Sequence, residues 1–508
     1  MGGSLIKNIV LSVVLIILAF FLGVSVADDA KGAGAIFICF TGVVAFIALG
    51  KRIWMAIFLL PPLCAFYPTF INFSTTQLMY VAIFMYCLIM WGLGHVKLTW
   101  RKLLSLDILV FLFIGYLAIQ FAQNPVSVSF LEVFGIETDR IGGKEYYTGV
   151  VAFISYLGLS VIPFPKDKLL KVLKWALVIT VLLAVVRACS FAVIGSSQYD
   201  SMLEEGMKSR FAYFTEIGMM ITILVYGCVP FSRIIFSVKY IFFLVVGFLF
   251  ILISGWRTYF VIYGATGIAC ALIKREMIVM IVCVFIAYLG FFYLGLRGSL
   301  LHLPYGVQRT LSLVPGIQVD RSIARSAKGS SEWRVEMWKQ ALDPRSGQIK
   351  DYVWGDGMFS SKGEIERHVR AVARRETHAG DQRFFMKAKL WHGGFVTNIS
   401  AIGIVGSSIL GLLQLWTMFL VIRVCRALRG SDYYTYALFQ TVGLFSGVFF
   451  YYISTGMIGV ALNTLPTMAL LKMYYNIAIE EGRLQPWSWR KRYVPMLLQE
   501  QELTAAKN

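Results

Sequence analysis

A handful of arginines and one histidine carry the types and placements that suit chemistry on a phosphorylated substrate. Arg257 lies in Ser254-Gly255-Trp256-Arg257-Thr258, where one apolar run ends and a tight turn leads into the next. Ionisable groups at membrane depth are costly and usually mark function, the alternative being an interfacial arginine whose head reaches water. Arg210, in Lys208-Ser209-Arg210-Phe211, stands ahead of another apolar run, a position an ordinary flanking charge also takes. Arg187 falls inside an apolar run, where a guanidinium needs either a helix carbonyl or a bound anion. Several fixed positive charges on one outer face suit phosphate or diphosphate. Arginine stays charged, and its planar fork bonds two phosphate oxygens at once. His392, in Trp391-His392-Gly393-Gly394, adds a group that exchanges a proton near neutral pH, beside glycines that permit close approach. A packing role for His392 is the alternative.

These residues gather around the one long polar segment of the chain, Arg297 to Gly406. It carries Arg334-x3-Trp338, then Trp354-Gly355-Asp356-Gly357-Met358-Phe359, then His392, and ends by re-entering an apolar run. A loop this long between apolar runs is far outside usual connection lengths, and such loops are usually functional. Within it, Ser331–Leu342 and the basic Gly363–Arg375 read as helical.

Elsewhere the chain is apolar. Of its 508 residues 58% are hydrophobic and 15% charged, against about 45–50% and 25% in soluble domains, which makes it an integral membrane protein. Apolar blocks of helical length point to an all-α polytopic fold rather than a barrel of short alternating strands. Fourteen spans are expected, at about 8–27, 33–50, 53–73, 76–94, 106–123, 149–165, 172–195, 217–231, 240–256, 259–274, 277–296, 395–424, 436–456 and 459–478. The resulting organisation is a membrane domain over residues 1–296, an external loop over 297–394, a second membrane domain over 395–480 and a basic, aromatic tail over 481–508. Pro61-Pro62 should break the third span.

With a cytoplasmic N-terminus, Lys51-Arg52, Lys97/Arg101/Lys102, Lys166/Lys168/Lys171, Lys274-Arg275 and Arg423/Arg426/Arg429 all fall on the inner side. That is the asymmetry the positive-inside rule requires, and it turns the long loop outward. It also accounts for the net charge of +19 without nucleic acid. The eight cysteines lie in or beside apolar blocks and suggest neither a disulfide framework nor a zinc site. Asp28-Asp29 is a weak signal for a divalent cation, lacking a second acidic cluster. No cofactor is expected.

The frame His392-x2-Phe395-Val396-x6-Gly403-x2-Gly406 resembles the motif of the O-antigen ligase/polymerase superfamily of GT-C-like bacterial membrane glycosyltransferases. Arg257 in Ser-x-x-Arg, Arg334-x3-Trp338 and Gly355-x-Gly357-x-Phe359 are similar to other features of that family, and Arg210 takes the place of an arginine ahead of a short span. The resemblance covers roughly residues 205–410. Gly393 stands where an asparagine is common and Ala401 where a glutamate is, and no Asn-Pro-Asn follows Arg210.

The resemblance implies metal-independent glycosyl transfer at the periplasmic face of the inner membrane; the many spans favour a polysaccharide polymerase, and a single displacement would be inverting. The donor would be a glycan on undecaprenyl diphosphate. Arg257, Arg210 and Arg187 would hold the diphosphate, and His392 would take the acceptor's proton. Implied partners are a lipid-linked acceptor glycan, membrane lipid and a chain-length regulator. A ligase that transfers glycan to lipid A core or to protein is the enzyme alternative. A transporter of lipid-linked glycans is the non-enzyme one, and it predicts symmetric halves with helices broken at mid-membrane.

Overall fold

The computed structural model describes residues 50–64, 75–126, 140–141, 143–198, 212–253, 257–312, 314–361, 363, 367, 370–371, 385–386, 389, 391 and 393–485. The expected spans 8–27 and 33–50, Asp28-Asp29, Arg210, His392 and the tail beyond 485 lie outside these residues.

The described chain is built of helices. In order they are α1 (Thr75–Gly92), α2 (Leu104–Gln123), α3 (Gly143–Val161), α4 (Lys166–Gln198), α5 (Ala212–Ile221), α6 (Val238–Ile253), α7 (Arg257–Lys274) and α8 (Met277–Leu296). The polar segment supplies α9 (Tyr305–Leu311) and α10 (Arg321–Leu342), and α11 (Gly394–Ala427), α12 (Tyr434–Phe450) and α13 (Leu465–Glu480) follow. Among the described residues, five helices are long and apolar enough to cross a membrane: those at 105–123, 166–186, 277–296, 394–427 and 434–453. Shorter apolar helices lie at 79–92, 214–227 and 238–253. On α8 most side chains face outward, with Ile278 79% exposed and Val284, Phe285 and Ile286 near 60%. An apolar face this long suits lipid rather than water.

The interior is one large cluster in which α2 packs on α11, α3 on α1 and α13, and α7 on α12. Lys472 of α13 is wholly buried there. Its ammonium lies 2.5 Å from Asp107 of α2 and 3.1 Å from Ser160 Oγ. The Tyr156 hydroxyl and the Trp100 indole also donate to Asp107, so both charges are hydrogen-bonded as well as paired. Burial of this kind is tolerated only with such complete pairing. The pair clamps a late helix to two early ones.

Two expected spans are interrupted, the first at the prolines where a break was expected and the second where none was. The region expected as the span 53–73 starts as a 3₁₀ turn (Gly50–Met55) and two short helical pieces, with Pro61 opening the second, as proline's missing N–H dictates. The span expected at 395–424 is α11, and it is interrupted at Gly403 (φ 63°, ψ −175°). In place of the missing helical bonds, the loop after α10 enters the gap. Asp356 N–H and Gly357 N–H donate to the carbonyls of Ser400 and Ala401 (2.7 and 3.0 Å), while Ile404 N–H and Val405 N–H donate to Tyr352 O and Val353 O (2.8 and 3.1 Å). The Tyr116 hydroxyl closes the set, lying 2.6 Å from Ile402 O and 2.7 Å from Trp354 O, with its one proton shared between them. Buried backbone groups need partners, and here the loop and Tyr116 supply them to three carbonyls and two N–H groups at the break. A two-residue ladder, β1 (Arg140–Ile141) with β2 (Ser360–Ser361), ties down the far end of the loop.

Candidate anion site and the loop that frames it

Helix α10 is started by Asp320, whose carboxylate accepts from Ser322 N–H (2.8 Å) and Ile323 N–H, an N-cap of the favoured type. The Ser322 hydroxyl and these two N–H groups hold the Asp320 carboxyl below the usual carboxylate range. The expected helical stretch 331–342 is therefore the second half of a longer helix, Arg321–Leu342. Of the other stretch expected to be helical, Gly363, Arg367, Arg370 and Ala371 have helical backbone, and the remainder lies outside the described residues.

One stripe of α10 faces inward: Ile323, Ala327, Met337 and Ala341 are all buried. Helical spacing puts Arg334 on that stripe, eleven residues after Ile323. Its Nε is buried with no hydrogen-bond partner among the described residues. Burial lowers its pKa, and repulsion from Arg309 of α9 lowers it further. One turn earlier on the same face, Arg257 reaches across from the start of α7. Its Nη1 donates to Ala327 O (2.9 Å) and to Ser331 Oγ (3.2 Å). Arg257 thus braces the membrane helices against the loop helix, and α10 brings Arg334 into the same region.

One turn later, Trp338 donates its indole N–H to Trp391 O (2.7 Å), and its ring lies so close to Gly393 that any side chain there would meet it. Trp391 is 1% exposed, and its own indole nitrogen is buried without a partner among the described residues. His392 lies outside the described residues, but the residues on either side of it are both anchored to the helix that carries Arg334. Arg187 has helical backbone in α4; its side chain lies outside the described residues.

The Gly355 and Gly357 motif lets the loop enter the broken helix. Both glycines have left-handed φ (87° and 94°). A Cβ on Gly355 would strike Ala401 and Gly403 backbone, so the loop can enter the break in α11 only with glycine there. Asp356 and Asp351 shape this loop. Asp356 accepts from Lys350 N–H and Asp351 N–H (3.0 and 2.9 Å) and pairs with Lys389 at 2.6 Å, while Asp351 accepts from Val353 N–H and Trp354 N–H, both at 2.9 Å.

No role for Arg309, Ser331, Asp351, Asp356, Lys389 or the Lys472–Asp107 pair follows from the sequence reading. For Lys472 a signal existed, since an ammonium inside an apolar run is itself a flag. Arg309 and Lys389 are two charges among many in a polar segment and carried none. No family model matches the chain, and no curated protein matches it.

Proposed function

We propose that the protein is a glycosyltransferase of the bacterial inner membrane that joins glycan repeats carried on undecaprenyl diphosphate, at the periplasmic face. The observation that supports this reading is the buried Nε of Arg334, which has no hydrogen-bond partner among the described residues, in a place where burial and the like charge of Arg309 both oppose its own. An anion bound there would stabilise the guanidinium, and a diphosphate has the charge and the oxygens to bond its planar fork.

In the proposed step the acceptor hydroxyl oxygen attacks the anomeric carbon. The bond from that carbon to the diphosphate oxygen breaks with its electron pair going to the phosphate, and the hydroxyl proton passes to His392. A single displacement inverts the centre. Charge grows on the leaving diphosphate, so fixed arginines favour the transition state over the ground state, commonly the largest catalytic term. The scheme calls on neither nucleotide sugar nor metal ion. A polymerase takes a second lipid-linked glycan as acceptor and works with a chain-length regulator; a ligase takes lipid A core.

The transporter reading gains a broken helix at Gly403. However, the Ser400 and Ala401 carbonyls and the Ile404 and Val405 N–H groups are bonded to the loop there, and the Ile402 carbonyl to Tyr116, so the loop occupies the break that a passing ion or substrate would need. Purified protein incubated with lipid-linked repeat units, with and without lipid A core, tests the proposal. A ladder without core supports polymerase, and transfer only with core supports ligase. No glycan transfer under either condition removes the enzyme reading.

A further inference from the structure

Beside the plugged break in α11 is a cavity of about 390 Å³, within the usual range of about 300–1,000 Å³ for small-ligand pockets. Its walls come from the end of α2, from the loop 350–359 and from Lys389. We propose that it is a subsite for an uncharged sugar ring, serving as the acceptor-glycan site. Its role as acceptor site rests on the reaction proposed above; its ligand does not.

The floor is Trp354. Tyr116 stacks on one side of its ring, centroids 6.5 Å apart and planes 17° from parallel, yet the residue remains 49% exposed. An indole held rigid on one side and open on the other offers a flat apolar face to the C–H side of a pyranose, at little entropic cost. Around it stand polar groups that the loop itself does not use. Asp351 spends Oδ1 on two backbone N–H groups, and Oδ2 has no donor among the described residues. The exposed amide of Gln123 and the ammonium of Lys350 also line the cavity without a described partner. A carboxylate acceptor, an amide and an ammonium donor beside an aromatic face match the alternating needs of neighbouring hydroxyls.

Charge sets the ligand class. Lys350 and Lys389 balance Asp351 and Asp356, so the cavity carries no net formal charge and, unlike the arginines at α9 and α10, does not select an anion. Lys389 is in any case occupied by Asp356 and lies 4.6 Å over the Phe359 ring. Placement supports the acceptor role. Lys389 is part of the cavity wall, and Trp391, two residues on, is held by Trp338 of α10. The chain therefore runs directly from the sugar cavity to the helix bearing Arg334.

The test uses full-length protein in detergent with maltotriose, chitotriose and trigalacturonate, followed by saturation-transfer NMR. Maltotriose or chitotriose should bind better than trigalacturonate. Trp354→Ala and Asp351→Asn should each weaken binding by about tenfold or more, as loss of a central aromatic or charged contact does, and Lys328→Ala, exposed on α10 and no part of the cavity wall, should not. Asparagine keeps an oxygen for the Val353 and Trp354 N–H groups, so Asp351→Asn remains decisive if Trp354→Ala does not fold. Binding of none of the three sugars, or binding that ignores both substitutions, overturns the site. A protein that binds sugar through Trp354 yet transfers no glycan keeps the site and loses the proposed reaction. Arg257-dependent transfer with a wild-type acceptor KM in both variants keeps the reaction and loses the site.

Discussion

At Arg257 the exchange of guanidinium for ammonium separates charge from geometry. Arg257→Lys should leave the protein folded yet largely without transfer activity, because a point charge cannot bridge Ala327 O, Ser331 and an anion as a planar fork does. Arg334→Gln should weaken binding of lipid diphosphate while stabilising the empty protein, since it removes a charge that burial and Arg309 both oppose. Thermal unfolding with and without diphosphate reads both signs in one experiment. His392→Ala should behave differently: donor binding near normal, with transfer slowed about 10²–10⁴-fold, the usual contribution of a general base. That Arg257 stands where one apolar helix follows another was legible in its neighbours. Its partners were not, because Ala327 and Ser331 lie some seventy residues further along the chain, and no local pattern encodes that approach.

Among elements, the helices were legible because apolar runs of this length admit few other structures, and α2, α7 and α8 start and stop within two residues of expectation. The break in α11 was not. Gly403 sits in an unbroken apolar stretch, and only a loop from about fifty residues upstream makes its left-handed backbone necessary. Helical periodicity is a local signal and cannot register a distant segment that competes for the same hydrogen bonds. Gly403→Ala should lower stability by about 1–3 kcal/mol, the range for a non-glycine residue held in such backbone, before adding its clash with Val353 and Trp354. Gly411 on the same helix has open space around its Cβ position, so Gly411→Ala should be neutral or slightly stabilising. Equal melting temperatures for the two variants would remove the loop from its place in the helix.

For the molecule as a whole, orientation decides which solvent the arginines and the sugar cavity meet. The positive-inside pattern predicts that the polar segment is outside. Lys328, 76% exposed on α10, is a suitable reporter. A cysteine there should react with an impermeant thiol reagent in intact spheroplasts; reaction only after permeabilisation reverses the topology and the proposed face of reaction. Membrane class was readable from composition alone. The pairing of helices was not, as the Lys472–Asp107 clamp shows: two single charges, 365 positions apart, that only the assembled bundle brings together.

The interrupted α11 also bears on how the protein is made. The segment that fills the gap, residues 352–357, leaves the ribosome before Gly403 does, so the plug exists before the helix it must enter. Measured from Ile404 to Ala427, the remaining helix is about 36 Å long at 1.5 Å per residue, sufficient to cross a bilayer of about 30 Å by itself. The translocon can therefore release that portion sideways into lipid as an ordinary span. The stretch from Gly394 to Ile402 gains its bonds to the loop only when residues 352–357 dock on it. Docking of the loop is therefore a separate step in completing α11, distinct from insertion of its apolar portion.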